Sequence, residues 1–224
     1  MFNSDVDLND SVIALVTGTA YGSQPGGGSQ CGYAVTWGPR TMAHEPDHQG
    51  QRSTLLDWCS MRIRPTVNSA LEAEVRRCST GYDRAVHIRS IITEMLGTHG
   101  DTWEERVMQL PQISLVDSRI LHEYLLIDTK NIRANSIDDS DIREWLNRGD
   151  KLFWTPTLYF LVDPLTKHYP YTPILNDYMM HYRYNFADQF RTPKRRAEDI
   201  AVPADPTEIV DIDGPWQDTG GPWQ

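Results

Sequence analysis

The stretch SVIALVTGTAYGSQPGGGSQCGYAVTW, residues Ser11–Trp37, decides the fold class because it places two strands in immediate succession. Its first part, Ser11–Thr19, is a β-branched apolar run that predicts a strand buried on both faces. A glycine-rich turn over Tyr21–Gln30 follows, and Cys31–Trp37 then alternates small or polar residues with larger ones, as a second strand does. The short connection predicts an antiparallel hairpin, since parallel strands need a longer crossover.

Helices and further strands alternate after this hairpin. Good helix formers and a periodic apolar face predict a long helix over Val67–Leu96, with Asn68 or Ser69 as its N-cap. The other predicted segments are a strand over Ser53–Ser60, a loop over Gly97–Pro111, a strand over Gln112–Val116, helices over Ser118–Asn131 and Asp138–Arg148, a strand over Lys151–Trp154 and a last helix over Thr157–Lys167. A three-strand meander followed by α/β units makes a mixed five-stranded sheet flanked by helices, an α/β fold.

The charge of the chain is unevenly distributed. The formal net charge is -10, from 31 acids against 21 lysines and arginines. Seven of the acids and no lysine or arginine lie in residues 197–224, so residues 1–196 carry 24 acids and 21 bases, a net charge of -3. Proteins that bind nucleic acid are usually basic on the binding face. The balance therefore counts against avid nucleic-acid binding but leaves room for a local basic patch.

Three regions are expected along the chain: an N-terminal arm at 1–11, a domain at 12–167 and an extension at 168–224. The extension is aromatic at first, continues through the basic cluster Lys194–Arg196, and ends in an acidic segment in which GPWQ occurs twice. We expect irregular structure and contacts with protein partners there, because the acidic segment buries too little apolar surface to fold alone. No run approaches the roughly 18 apolar residues of a membrane span, and no targeting peptide is evident, which favours a soluble intracellular protein.

Several short motifs occur in the order found in one known family. The ending WTPT…LVDPLTK resembles the W-V-P-T … L-A-D-x-L-T-K ending of the ribonuclease H-like domain of copia-type retrotransposons. The other matches are NSALEAE at 68–74 with R-S-T-L-A-A-E, VDSR at 116–119 with T-D-C-K-S-L, QCGY at 30–33 with T-Q-A-G-Y, ID at 137–138 and IRE at 142–144 with L-I-D-x-x-x-I-R-E, and LDW at 56–58 with the strand before the helix. They run from about residue 12 to residue 167.

This resemblance implies a metal-dependent hydrolase of the RNA strand in RNA–DNA hybrids. Such chemistry uses two Mg²⁺ or Mn²⁺ ions about 4 Å apart, held by carboxylates that converge from separate elements. The resemblance places three of these catalytic and metal-binding carboxylates on Glu74 in the long helix, Asp117 at the end of a strand, and Asp163 on the last helix. Taken alone, Glu74 and Asp163 could be surface charges and Asp117 could also be the N-cap of the helix that follows it.

The fourth carboxylate of the family is missing from this chain. The family's first strand reads Y-S-D-A-S-W and lies on VTGTAY at 16–21, so the aspartate that bridges both metals falls on Gly18. Its neighbours Thr17 and Thr19 are not acids either, and the nearest preceding acid is Asp10. We therefore expect weak or no metal binding by the three remaining acids.

Three functional hypotheses remain open. The first is a copia-derived module without hydrolysis, retained as a binding or structural subunit that contacts proteins through 168–224 and binds RNA–DNA hybrids weakly. The second is an active ribonuclease in which another acid, such as Asp10, reaches the metals. The third is a decaying retroelement with no selected function.

Other polar residues favour structural roles. Asp57 lies within a strand and is expected to be structural. His44, Asp47 and His48 are expected to form a solvated loop instead of a metal site, because no further ligand is near. The odd number and wide spacing of the cysteines predict buried free thiols instead of disulfides or a zinc site. These cysteines are Cys31, Cys59 and Cys78.

Overall fold

The structure is a computed structural model that describes residues 10–24, 28–43, 51–63, 69–126, 137–155, 157, 160–167 and 173–184. The chain divides into two units, Met1–Gln189 and Phe190–Gln224. All described residues belong to the first unit. The histidines and aspartate of the 44–48 loop and the basic cluster Lys194–Arg196 lie outside the described residues.

The described residues form strands and helices in the order expected of an α/β chain. The strands are β1 (Ser11–Gln24), β2 (Gly28–Pro39), β3 (Gln51–Arg52), β4 (Thr54–Arg62), β5 (Gln112–Val116), β6 (Lys151–Trp154) and β7 (Arg183–Tyr184). The α-helices are α1 (Ala70–Met95), α2 (Trp103–Met108), α3 (Arg119–Leu126), α4 (Ile137–Arg148) and α5 (Pro173–His181), and short 3-10 turns lie at Arg40–Ala43 and Asp163–Leu165.

The main sheet has five strands in the order β4-β2-β1-β5-β6. β1 is antiparallel to β2 and parallel to β5, β2 is antiparallel to β4, and β5 is parallel to β6. The predicted hairpin and the mixed five-stranded sheet are both confirmed. A second sheet pairs only β3 with β7.

β1 lies at the centre of the sheet and is buried on both faces, as its continuous apolar run predicts. Ile13 and Leu15 pack into the core beneath α1, and Val12, Ala14 and Val16 pack into a second core on the opposite face. All five side chains are almost inaccessible to solvent. This burial fixes the register of β1 and therefore the face on which each later residue of the strand lies.

The boundaries of the long helix follow its capping residues. Ser69 is the N-cap: its side chain accepts a hydrogen bond from the Glu72 backbone N–H at 3.1 Å. Of the two predicted caps, Ser69 is therefore the one the structure selects, while Asn68 lies outside the described residues. The helix ends at Met95, two residues before Gly97, whose φ of 66° is costly for residues other than glycine.

Two predictions about local structure are wrong. The predicted loop Gly97–Pro111 contains α2, whose N-terminus is closed by a capping box in which Thr102 and Glu105 exchange hydrogen bonds. The predicted helix Thr157–Lys167 is not an α-helix over its described part, where bonds span three residues, as from the Asp163 N–H to the Phe160 carbonyl at 3.2 Å. Pro164 lacks an N–H and its ring would clash with the carbonyl four residues earlier, so a continuous helix cannot form there.

The first described part of the C-terminal extension is regular, which differs from the irregular structure expected of it. α5 and β7 pack on the second face of the sheet and bury Tyr178 and Tyr184. The Ser53 backbone N–H donates to the Tyr182 carbonyl at 2.8 Å. The aromatic residues at 178 and 184 thus complete a core in the same chain, while residues 185–224 lie outside the described part.

The three cysteines are free thiols; Cys31 and Cys78 are buried, as predicted, whereas Cys59 is only half-buried. Within the described ranges, no helix is long and apolar enough to cross a membrane.

Candidate active site

Asp117 lies at the end of β5, next to Gly18 on the neighbouring strand. Thr17 pairs with Val116 in the parallel register of β1 and β5, so the next residue of each strand lies beside the other. A Cβ atom added to Gly18 would lie 3.4 Å from Asp117 Oδ1. The position that the resemblance assigns to the missing aspartate is therefore directly beside the second acid.

The WTPT motif holds Asp117 in place. Trp154 Nε1 donates to the Asp117 backbone carbonyl at 3.0 Å, and Thr157 Oγ1 donates to Asp117 Oδ2 at 3.5 Å. Asp117 does not cap the following helix, as had been considered: Ser118 Oγ accepts the Leu121 backbone N–H at 3.2 Å instead. The carboxylate is therefore free of a capping role and faces the site.

The three acids interact electrostatically in sequence, from Glu74 to Asp117 to Asp163. Burial, and then the Asp117 carboxylate, raise the pKa of Glu74 from its usual 4.5 to about 8. Burial, and then Asp163, raise the pKa of Asp117 from its usual 3.8 to about 6. Asp117 Oδ1 is buried and has no hydrogen-bond partner within the described part of the chain. Asp117 thus makes ionisation of Glu74 more costly, and Asp163 makes ionisation of Asp117 more costly.

Lys167 supplies the positive charge nearest to this cluster. Its Nζ lies 3.4 Å from Asp163 Oδ1, and its charge favours ionisation of Glu74 and Asp117 to a smaller extent than burial opposes it. Glu74 is therefore not the solvated surface acid that its helix position alone allowed. Asp163 lies on a 3-10 turn instead of the predicted helix, yet it reaches the same cluster.

Phe160 occupies the space that a side chain at position 18 would need. A Cβ atom on Gly18 would lie 2.7 Å from Phe160 Cε1, closer than such atoms approach, and the phenylalanine is only 1 % exposed. The ring packs in the second core, alongside Leu161 and Val162. An aspartate at position 18 therefore cannot be accommodated unless Phe160 moves. This residue was not singled out from the sequence, where it is one apolar residue among several.

The residues present do not fit the two-metal centre that the resemblance implies. No group of three or more histidines, cysteines, aspartates and glutamates in the described ranges is close enough to hold a metal ion. Asp10 cannot complete the set, because it precedes β1 at the end opposite Gly18, and eight extended residues span roughly 26 Å.

Asp57 has the structural role expected of it. Its Oδ2 accepts hydrogen bonds from the Tyr33 hydroxyl and from Arg84 Nε, both at 3.1 Å. These contacts join β4, β2 and α1 on the face opposite Phe160, so Asp57 stabilises the packing of these three elements.

Comparisons with known proteins give distant likenesses. Neither the models of protein families nor the curated proteins yield a match. The N-terminal RNase H domain of rv2228c from Mycobacterium tuberculosis, solved as a fusion with maltose-binding protein, is 16 % identical with a TM-score of 0.38, covering 69 % of this chain and 89 % of that one. The protease–reverse transcriptase of prototype foamy virus is 13 % identical with a TM-score of 0.35, and covers 70 % of this chain but 19 % of that one.

The fold is ribonuclease H-like. This assignment rests on the strand order β4-β2-β1-β5-β6 and on the strand directions, with β2 antiparallel to both of its neighbours. In this ribonuclease H-like sheet, Gly18 and Asp117 lie on adjacent central strands and Glu74 comes from the helix packed above them.

Replacing Glu74 with glutamine is expected to stabilise the ribonuclease H-like domain at pH 8 but not at pH 5. The pKa of about 8 in the folded chain exceeds the usual 4.5, so the folded state holds a proton that the unfolded state releases, and stability falls as the pH rises through this window. Glutamine removes that loss, so the free energy of unfolding should increase by on the order of 2 kcal/mol at pH 8.

Urea denaturation at both pH values measures this effect. Glu94→Gln, an exposed change on the same helix, is the control and should show no gain that depends on pH. A gain of equal size at pH 5 and pH 8 would show that the buried charge of Glu74 is not its cause.

Proposed function

We propose that this chain is a copia-type ribonuclease H-like module that does not hydrolyse nucleic acid and serves as a binding or structural subunit of a larger complex. One observation carries the proposal: the ring of Phe160 occupies the space that a side chain at position 18 would need, and position 18 is where the resemblance puts the metal-bridging aspartate. Gly18 removes the ligand, and Phe160 fills the space that the ligand would have left.

The chemistry of the reaction explains why this pair matters. Two-metal hydrolysis needs carboxylates that hold both ions in place while one activates water and the other stabilises the leaving oxygen. Glycine offers only backbone atoms, and an apolar ring excludes both water and hydrated ions from the same position. The remaining acids Glu74 and Asp117 have raised pKa values, as expected of carboxylates for which the cost of burial outweighs the attraction of Lys167.

The copia-type assignment is supported by the contacts that the residues of its most specific motif make. Trp154 and Thr157 both bond to Asp117, and the Asp163–Lys167 contact joins the two ends of the DPLTK segment. The motif residues that resemble the family therefore converge on one site, which is the expected result if they descend from a functioning centre.

Restoring the missing aspartate tests the proposal. We expect Gly18→Asp/Phe160→Ala to gain cleavage of the RNA strand of a labelled RNA–DNA hybrid with Mn²⁺, and Gly18→Asp alone to show none because Phe160 still blocks the position. Adding Glu74→Ala to the double variant should abolish the gained activity, and circular dichroism confirms that each variant is folded. Equal cleavage by Gly18→Asp alone would contradict the role assigned to Phe160.

The partner role is proposed for the extension at 168–224, with weak RNA–DNA hybrid binding by the domain. The composition of the extension supports it: an aromatic stretch is followed by an acidic segment with two copies of GPWQ, the kind of segment that orders on binding. Because α5 and β7 pack on the domain, the informative truncation removes only residues 185–224. Unchanged recovery of every partner by the truncated chain would remove this part of the proposal.

A further inference from the structure

β4 is an edge strand of the five-stranded sheet, with β2 on one side and no strand of the described part on the other. Natural edge strands are usually protected by lysines, prolines, bulges or covering segments. The half of β4 from Trp58 to Arg62 contains no lysine or proline, and it exposes Trp58 by 59 % and Met61 by 43 %. Among the described residues, this half is thus an unpaired edge with large exposed apolar side chains.

The backbone groups that face outward on this edge follow from its pairing with β2. The Ile63 N–H donates to the Ser29 carbonyl at 2.9 Å, and the register pairs Arg62 with Gln30. Because the direction of the backbone groups alternates along a strand, odd-numbered residues bond to β2 and even-numbered ones point away from it. The outward residues on this half are therefore Trp58, Ser60 and Arg62.

A bulge limits the regular edge at its other end. The β2–β4 register shifts between Val35 and Thr36, where the partner positions change from Asp57 to Leu55 and skip Leu56. Bulges twist an edge away from a partner strand. Trp58–Arg62 is therefore the longest regular stretch of β4 that is available for pairing.

We propose that two copies of this chain associate by pairing these strands in antiparallel fashion, with Ser60 at the twofold axis. In this register Ser60 lies opposite Ser60 of the partner subunit, and Trp58 lies opposite Arg62 of the partner subunit. Every outward residue then faces another outward residue, which gives about six backbone hydrogen bonds. The same patch meets itself, as a closed twofold interface requires.

The side chains are complementary in this register. On one face each Trp58 lies opposite Arg62 of the partner subunit. The Arg62 guanidinium lies over Gly28 in the single chain, so it would turn outward to make a cation–π contact with the Trp58 ring. On the other face Cys59 meets Met61 of the partner subunit, so no like charges are opposed. Moving the twofold axis to Cys59 would place Arg62 opposite the bulge of the partner strand. Moving it to Met61 would place Trp58 opposite a residue beyond the regular stretch.

In the single chain, one outward backbone group of this edge is bonded within its own strand. The Trp58 N–H donates to the Asp57 side chain at 2.9 Å, a bond within the same strand that pairing would replace. The Ser60 hydroxyl donates to the Leu165 carbonyl at 2.6 Å and accepts from Gln30 at 2.9 Å, so this small side chain is turned away from the axis. This interface is independent of the function proposed above.

Sedimentation of the full chain over a concentration series tests the dimer. We expect a reversible dimer with a dissociation constant in about the micromolar range, since a short strand interface is small. Trp58→Lys and Ser60→Pro should each weaken association at least about tenfold. Met95→Lys, an apolar-to-charged change at an even more exposed position on α1, should leave association unchanged, since Met95 is 80 % exposed and distant from β4 in the chain.

Cross-linking tests the register. In a Cys59→Ser background, Ser60→Cys should form a disulfide-linked dimer under mild oxidation, because opposed hydrogen-bonded residues have Cα atoms about 5.5 Å apart, within disulfide range. Thr54→Cys, on the same strand but beyond the bulge, should not. A chain that stays monomeric at all concentrations, a dimer unaffected by Trp58→Lys, or cross-linking through Thr54→Cys instead would each overturn the proposal, as would pairing of this edge only with a different protein.

Discussion

Replacing Arg89 with methionine is expected to lower the free energy of unfolding by about 3–5 kcal/mol. Arg89 Nη1 lies 2.7 Å from Asp150 Oδ2, and both side chains are fully buried. The guanidinium also donates to the Leu110 carbonyl at 2.9 Å and to Gln112 at 3.3 Å. Methionine would leave the Asp150 carboxylate buried without its counter-charge, which is the costly way to break such a pair.

Urea denaturation near neutral pH measures this loss, and the chain provides a matched control. Arg148 and Glu144 are also 2.7 Å apart, but their side chains are 38 % and 61 % exposed, so Arg148→Met should cost less than about 1 kcal/mol. Adding Asp150→Asn to Arg89→Met should recover part of the stability by removing the stranded charge. Equal losses from Arg89→Met and Arg148→Met would show that burial does not set the strength of the pair.

Phe160→Ala is expected to cost about 3–4 kcal/mol, because it removes a buried ring from the second core. Gly18→Ala in the unmodified chain should also be destabilising, by about 1–3 kcal/mol, since its Cβ would lie 2.7 Å from the ring. Once the ring is gone, the same alanine should cost almost nothing. The two changes should therefore be coupled by at least about 1 kcal/mol in a double-mutant cycle.

This cycle needs no external control, because each single variant is the reference for the other. Strictly additive effects would show that Phe160 does not occupy the space beside Gly18. The result bears on function as well as stability, because the same contact is what excludes an aspartate from position 18.

The parts of the fold that the sequence predicts well are those set by local patterns. The apolar run at Ser11–Thr19 and the short glycine-rich connection determine the central hairpin, because they involve neighbouring residues and a turn of limited length. The predicted bounds of two short strands agree with the observed bounds at both ends, because polar and turn-forming residues flank each apolar run. These strands are Gln112–Val116 and Lys151–Trp154.

The errors arise where a local signal was weighed incorrectly or was absent. α2 was missed because a polar segment with two glycines suggested a loop, although Thr102 and Glu105 have the spacing of a capping box. The predicted helix Thr157–Lys167 contains Pro164, whose restriction on the backbone favours the observed 3-10 turn.

Contacts between distant residues could not be predicted from one sequence. Glu74, Asp117 and Asp163 were found because the motifs supply their order, and the structure brings them into electrostatic contact. Phe160 over Gly18 and the Arg89–Asp150 pair depend on how separate elements pack. No periodicity or spacing in the chain marks either contact.

The central proposal is that the site around Gly18 and Asp117 does not support two-metal hydrolysis. The most direct measurement is to incubate the purified, unmodified chain with a labelled RNA–DNA hybrid and either Mg²⁺ or Mn²⁺, in parallel with Glu74→Ala. We predict that the two proteins give the same background, with no cleavage of the RNA strand above a protein-free control. Cleavage by the unmodified chain that disappears in Glu74→Ala would contradict the claim and show that the three remaining acids still support the reaction.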